Sequence, residues 1–323
     1  MRNKIIWLLK CIKRNVRTIS FWSYPNFIRL VCLDYKIHYA DEKVQYELFE
    51  IKHQIMLNYI KDNYEKYRLA VYEGCKPVRM DLDDQNIWIL WLQGEESMPE
   101  VVRVCYSNIK KYSNGHNVIL LTNDNLGEYL LINQNIKNKV GKCLSYTAFS
   151  DYVRLNLLSL YGGLWIDATF FITQPLDEGI FRSEFFSIKN NILKNDVVCR
   201  YKWAVNFMYF KCNSQIITHV RNMFCAFWEN NSKPINYLFI DYCFEYERNM
   251  NAEFDKLLSN LPYTNEHSHQ IRLNFNKAFD EKEYENWLSN TSLFKLSYKG
   301  NLQKESIGGE LSYYGYITSL LNH

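Results

Sequence analysis

Between Ser150 and Pro175 the chain reads SDYVRLNLLSLYGGLWIDATFFITQP, and this run constrains the fold more than any other. Apolar residues recur through Leu160 at helical spacing, and Tyr161-Gly162-Gly163 stops the helix. Leu164 to Ile172 then reads as one apolar strand interrupted only by Asp167 and Thr169. An ionised carboxylate in such a buried strand costs several kcal/mol unless it is paired or holds a cation. In open α/β sheets ligands bind beyond the carboxyl ends of strands, where Asp167 could project into a crevice. Thr169 would point to the same side of an extended chain, and a carboxylate with a hydroxyl can bind a hard cation. An Asp that only accepts backbone hydrogen bonds at a strand end is the plainer reading, and it stays open.

Asp151 and Arg154 stand three residues apart on the preceding helix and share a face. Alone, that spacing signals an ordinary ion pair. Because this helix feeds directly into the Asp167 strand, the two elements could flank one cleft. Elsewhere, 37–72 reads as helix and Ile87–Leu92 as strand, followed by a helix after Met98-Pro99 and a second strand at Asn117–Leu121. Strand, helix, strand at this spacing predicts a parallel βαβ unit. Further on, 197–211 reads as strand-rich, and 214–229, 234–250 and 252–260 as helical. The expectation is an α/β fold: a single Rossmann-like domain over 86–323 with a mostly parallel central sheet, preceded by a basic helical arm over 1–85.

With 47% hydrophobic residues, 16% aromatic and 23% charged, the chain can build a sizeable core and is not a candidate for disorder. Its nine cysteines form no CxxC pair and their number is odd, which argues against a disulfide framework and a zinc site, and for a reducing compartment. Near the start only Ile5 to Leu9 form an uncharged apolar run, too short for a signal peptide or a membrane span. A cytoplasmic protein, at the inner face of the cell membrane, is therefore expected. Residues 1–36 hold eight basic residues against one acid, Asp34, interleaved with Trp7, Leu8, Leu9, Phe21, Trp22, Phe27 and Leu30. Such a stretch can lie on an anionic membrane or pack on the domain with its charges in water; both readings stand. No basic patch recurs later, which weighs against nucleic acid as a partner.

The string Ser150-Asp151-x-x-Arg154, followed by Tyr161-Gly162-Gly163-x-Trp165-x-Asp167, resembles the S-D-x-x-R…Y-G-G-x-Y-x-D-x-D signature of glycosyltransferases with a sugar-binding DXD motif. That group includes Och-type mannosyltransferases and the clostridial toxin glucosyltransferases. IWILWLQG at 87–94, FIDYC at 239–243 and LSYYGY at 311–316 extend the resemblance to the bacterial capsular polysaccharide synthesis proteins. It implies a GT-A-like catalytic domain that moves a hexose, with retention, from a nucleotide sugar (a UDP-sugar first) to a growing capsular or other cell-surface polysaccharide. The implied partners are the nucleotide-sugar donor and a glycan or lipid-linked oligosaccharide acceptor; the implied cofactor is Mn2+ or Mg2+.

By position, Asp151 and Arg154 would bind the donor hexose, and Trp165 would line its pocket. Asp167 would contact ribose and metal. Trp91, Gln93, Gly94, Thr122 and Asn123, at two strand ends, would cradle the nucleotide. Thr169 stands where the family's second Asp ligates metal, and a neutral hydroxyl is the poorer ligand. That departure leaves a non-catalytic nucleotide-sugar or glycan-binding protein as the alternative. Asp241 interrupts LFIDYCF and repeats the Asp167 argument; a helix-capping role is as open for it. Tyr313, Tyr314 and Tyr316 could close over a donor or simply pack. His267 and His269 read as surface residues.

Overall fold

The computed structural model describes residues 2–190 and 195–322. Three helices lead, α1 (Arg2–Val16), α2 (Tyr24–Tyr39) and α3 (Glu42–Arg68), then a short strand β1 (Cys75–Pro77). β2 (Ile87–Leu90), α4 (Glu100–Lys111), β3 (Val118–Leu121), β4 (Leu130–Ile132), α5 (Gln134–Lys139), α6 (Tyr146–Leu160), β5 (Gly163–Ile166) and β6 (Phe170–Ile172) follow. The remainder comprises α7 (Glu178–Arg182), β7 (Phe185–Ser187), β8 (Phe207–Phe210), α8 (Gln215–Asn230), α9 (Phe239–Met250), α10 (Ala252–Asn260), α11 (Gln270–Leu273), α12 (Glu281–Leu288), β9 (Leu293–Lys295) and α13 (Tyr313–Ser319).

The expected helix over 37–72 divides at Ala40–Asp41, where Asp41 caps α3 by accepting the Val44 N–H at 3.0 Å. β2, α4 and β3 form the anticipated parallel unit. The central five-stranded sheet has the order β3-β2-β5-β8-β7. It is mixed, not mostly parallel: β8 enters reversed between β5 and β7, so both of its pairings are antiparallel. The sequence FMYF at 207–210 is apolar at every position, and such a run suits a buried strand of either direction.

Alternation along the strands splits the core into two layers. Trp88, Trp165, Met208 and Phe210 face α3, α6, α8 and α9, through Ile60, Leu155, Phe227 and Phe244. Ile87, Leu164, Ile166, Phe207 and Tyr209 face α4 and α13, through Val104, Tyr313 and Ile317. Burying each such side chain contributes about 1.5–3 kcal/mol. Two glycines allow β5 to lie against β2. A Cβ on Gly163, at φ +95°, would sit 2.6 Å from the Asn86 carbonyl oxygen, and the Gly162 carbonyl accepts from Trp88 Nε1 at 2.9 Å.

The apolar run 164–172 is not one strand. β5 ends at Ile166, the Phe170 N–H bonds the Asp167 carbonyl in a tight turn, and β6 leaves to pair with β9 in a separate two-stranded sheet. Of the strand-rich 197–211, only Phe207–Phe210 is strand. The tyrosines near the carboxyl end pack: Tyr313 is buried and donates to Glu283, and Tyr316 stacks on Phe279 with centroids 3.9 Å apart. His267 and His269 are half-buried, not surface residues, and burial lowers the pKa of His269.

Candidate functional site

α6 begins on Ser145, whose hydroxyl accepts the Ala148 N–H, and it delivers Asp151 and Arg154 to the carboxyl end of β5. Neither lies on the surface: Asp151 is 9% exposed and Arg154 4%. Arg154 Nη1 donates to Asp151 Oδ1 at 3.0 Å and Nη2 to Asp167 Oδ1 at 3.0 Å, so one guanidinium ties helix to strand end. It also lies over the Trp165 ring, 4.8 Å from the centroid. Trp165 is buried beneath the site, where its indole N–H donates to Asp167 Oδ1 at 2.9 Å; it supports the carboxylate and does not line the pocket.

The turn after β5 carries Asp167 and Thr169 to one point, where both meet Lys295. Lys295 Nζ donates to Asp167 Oδ2 and to Thr169 Oγ1, each at 2.7 Å. β6 and β9 pair Phe170 with Lys295, and the Leu296 N–H bonds the Thr169 carbonyl, which fixes this approach. Lys295 was not legible as a site residue. Its signal was the mirror image of Asp167: a charge interrupting the apolar run Leu293-Phe294-Lys295-Leu296.

These groups line an open cavity of about 420 Å³ that also takes in Asp241, Tyr298 and Lys299. Asp241 stands in the first turn of α9 and accepts from Trp203 Nε1 at 2.9 Å. A second cavity of similar volume, about 420 Å³, runs along Gln174–Asp177 and Asn290–Leu293 and holds one carboxylate and no cation, so it lacks comparable chemistry. Of the other anticipated contacts, Trp91 packs edge-on against Tyr298 at 5.3 Å and so borders the first cavity. Gln93, Gly94, Thr122 and Asn123 lie along the same sheet edge, beyond β2 and β3, joined by the Asn123 N–H to the Leu92 carbonyl; they do not line it. Gly94 adopts φ +84° there, with open space where a Cβ would be.

Electrostatically the three acids differ. Burial works to raise the Asp167 pKa, but Lys295 and Arg154 outweigh it and hold the carboxyl below its ordinary value. Burial lifts Asp151 to about 7 against the pull of Arg154, with Asp241 and Asp167 adding to the rise. Burial likewise lifts Asp241 to about 6, opposed by Trp203 and Arg154.

A divalent cation fits this donor set poorly. Mn2+ or Mg2+ beside substrate phosphates needs a carboxylate with oxygens to give, whereas both oxygens of Asp167 already accept from Arg154, Trp165 and Lys295, and Thr169 meets the same ammonium group. Among the described residues no group of three His, Cys, Asp or Glu side chains is arranged to hold a metal.

No curated protein matches the chain. Residues 36–317 match the family described as capsular polysaccharide synthesis protein, a span that takes in α3, the whole sheet and every residue of the cavity. With that match over most of its length, the chain belongs to the capsular polysaccharide synthesis protein family.

Proposed function

We propose that the chain is a glycosyltransferase with a GT-A-like fold that moves a hexose from a nucleoside-diphosphate sugar, a UDP-sugar first, to a growing capsular or other cell-surface glycan, with retention. The observation that carries this reading is the Asp151–Arg154–Asp167–Lys295 cluster on the floor of an open cavity, beyond the carboxyl ends of parallel strands, in a chain of this family. Carboxylates suit sugar hydroxyls, and ammonium and guanidinium groups suit phosphate. Asp151 has unfilled acceptor capacity toward a hexose. Arg154 orients both acids. Lys295 and Lys299 face the diphosphate. The acceptor hydroxyl attacks from the side the diphosphate leaves, and its proton ends on the departing phosphate oxygen. No protein nucleophile is needed, and the main catalytic contribution is electrostatic.

The test incubates the full chain with a panel of nucleotide sugars and follows the nucleotide released. Release of a nucleoside diphosphate supports transfer or donor hydrolysis. Release of a nucleoside monophosphate would mean a sugar-phosphate transferase, and donor binding without any release would mean a non-catalytic binding protein.

A further inference from the structure

We infer that Lys295 is itself the cation that receives the departing diphosphate, in the position where a metal ion would otherwise stand. This rests on the transferase reading above. The Lys295 ammonium bridges Asp167 Oδ2 and Thr169 Oγ1, which uses two of its three donors and leaves one for a ligand. Its backbone is pinned in β9 opposite Phe170, and the ammonium lies 5.1 Å from the centre of the Phe170 ring, so the group is held in place before any ligand arrives. Lys299 lines the same cavity four residues on. Charge balance points the same way. Around the cavity the three acids Asp151, Asp167 and Asp241 are matched in number by the three bases Arg154, Lys295 and Lys299, and burial raises the pKa of Asp151 to about 7 and that of Asp241 to about 6. That is a setting for an incoming anion rather than the dense negative charge that concentrates a divalent cation.

In the step itself, the bond from the anomeric carbon to the β-phosphate oxygen breaks and its electron pair stays on phosphate. The acceptor oxygen bonds to that carbon, and its proton passes to the released phosphate. Lys295 stays protonated throughout, so atoms and charge balance without another reactant.

Calorimetric titration of UDP, GDP, ADP and dTDP into wild type, Lys295→Met and Lys295→Arg, in EDTA and in Mn2+, tests this. Wild type is expected to bind at least one diphosphate within about threefold equally in both conditions. Lys295→Met should weaken binding by roughly 10–100-fold, and Lys295→Arg should recover part of the loss. Thermal melts without ligand check that the variants fold; if Lys295→Met does not, the wild-type EDTA arm still decides. Wild-type binding lost in EDTA and restored by Mn2+, or Lys295→Met binding as wild type, overturns the inference and leaves the transferase reading standing. Wild type that binds no diphosphate in either condition overturns both.

The outer face of α1 carries an independent feature. Ile5, Leu9, Ile12 and Val16 recur at helical spacing and are 36–59% exposed, while Cys11 and Asn15 are buried. At 100° per residue Lys13 flanks this stripe. Asp34, the one acid of residues 1–36, is turned inward, where it accepts from Asn15 at 2.9 Å and Lys52 at 2.6 Å. The exposed charge of residues 1–36 is therefore wholly basic. No helix among the described residues is long and apolar enough to cross a membrane. The geometry points to an anionic bilayer surface as the occupant, with the stripe among the headgroups and the basic residues beside it.

Flotation with phosphatidylcholine vesicles, with and without phosphatidylglycerol, tests it. Wild type should float only with the anionic vesicles, and Leu9→Glu/Ile12→Glu should reduce that at least ~10-fold at an unchanged melting temperature. Equal flotation of wild type and variant, or none with anionic vesicles, overturns the proposal. So does a concentration-dependent dimer that the same variant abolishes, which would give the face to a second copy.

Discussion

Glu247 and Asp151 are both buried acids facing an arginine, yet they settle on opposite sides of the ordinary carboxylate range. Glu247, on α9, accepts from Arg68 at 2.6 and 3.1 Å, from His219 at 3.0 Å and from Asn251 at 2.9 Å, joining α9 to α3 and α8. Burial works to raise its pKa, and these donors outweigh it and hold it low. Asp151 accepts one bond among the described residues, from Arg154, and borders the cavity; there burial prevails. The Arg154 Nε is buried with no partner among the described residues. The scaffold's acid is saturated by protein donors, whereas the acid at the cavity keeps capacity that a ligand can fill.

The largest effect should come from breaking the saturated side. Glu247→Ala leaves Arg68 and His219 without their buried partner and should cost about 3–5 kcal/mol in denaturant unfolding, with donor turnover lost only where the protein unfolds. A loss under 1 kcal/mol would show that the network is not structural.

Asp167→Asn should invert that pattern. Nucleotide release from the donor should fall roughly 10²–10³-fold while the fold survives, since Asn keeps the shape but not the charge that Arg154 and Lys295 face. Wild-type turnover in this variant would remove Asp167 from the site.

The raised acids predict the pH behaviour. Between the unfolded carboxylate pKa, near 3.8, and the folded values of about 6 and 7, the folded protein binds more protons. Asp151 and Asp241 therefore lower stability progressively as pH rises through that window, and the cost is complete above about 7. The depressed pKa values of Asp167 and Glu247 act oppositely, and their contribution is lost in acid. Asp241→Asn should gain roughly 1–3 kcal/mol at pH 8 and nothing near pH 4, measured by unfolding at both. No gain at pH 8 would mean that Trp203 and Arg154 already satisfy the carboxylate.

The smallest effect belongs to the rim. Trp91→Ala removes the ring that holds Tyr298 and should weaken nucleoside diphosphate binding less than ~10-fold at an unchanged melting temperature.

Much of the scaffold was legible because helices are specified by neighbours three and four residues apart. α4, α8 and α10 fall close to where their apolar spacing put them, and Gly162-Gly163 ends α6 as read. Asp151, Arg154 and Asp167 were legible for a related reason: a helix running through a glycine turn into a strand leaves their side chains little choice but to converge. The break at Asp167 was not legible, since an apolar run looks the same whether it continues in one sheet or leaves for another. Trp165 was expected to line the pocket, but its place in the pleat turns it into the core, where only its indole N–H reaches the site.

The sequence by itself determined α4, α6, α8, α9 and α10, the βαβ start of the sheet, the family and four charged residues of the cavity, Asp151, Arg154, Asp167 and Asp241, because each is written in contacts between near neighbours or in a short contiguous run. Only the tertiary structure decided the reversal of β8 and the arrival of Lys295 at Asp167 across 128 residues. Strand direction and pairing depend on a partner's surface, which local spacing does not encode. The same holds for the cation at the heart of the cavity: Asp167 and Thr169 name the oxygens, and the β6–β9 pairing sets an ammonium between them.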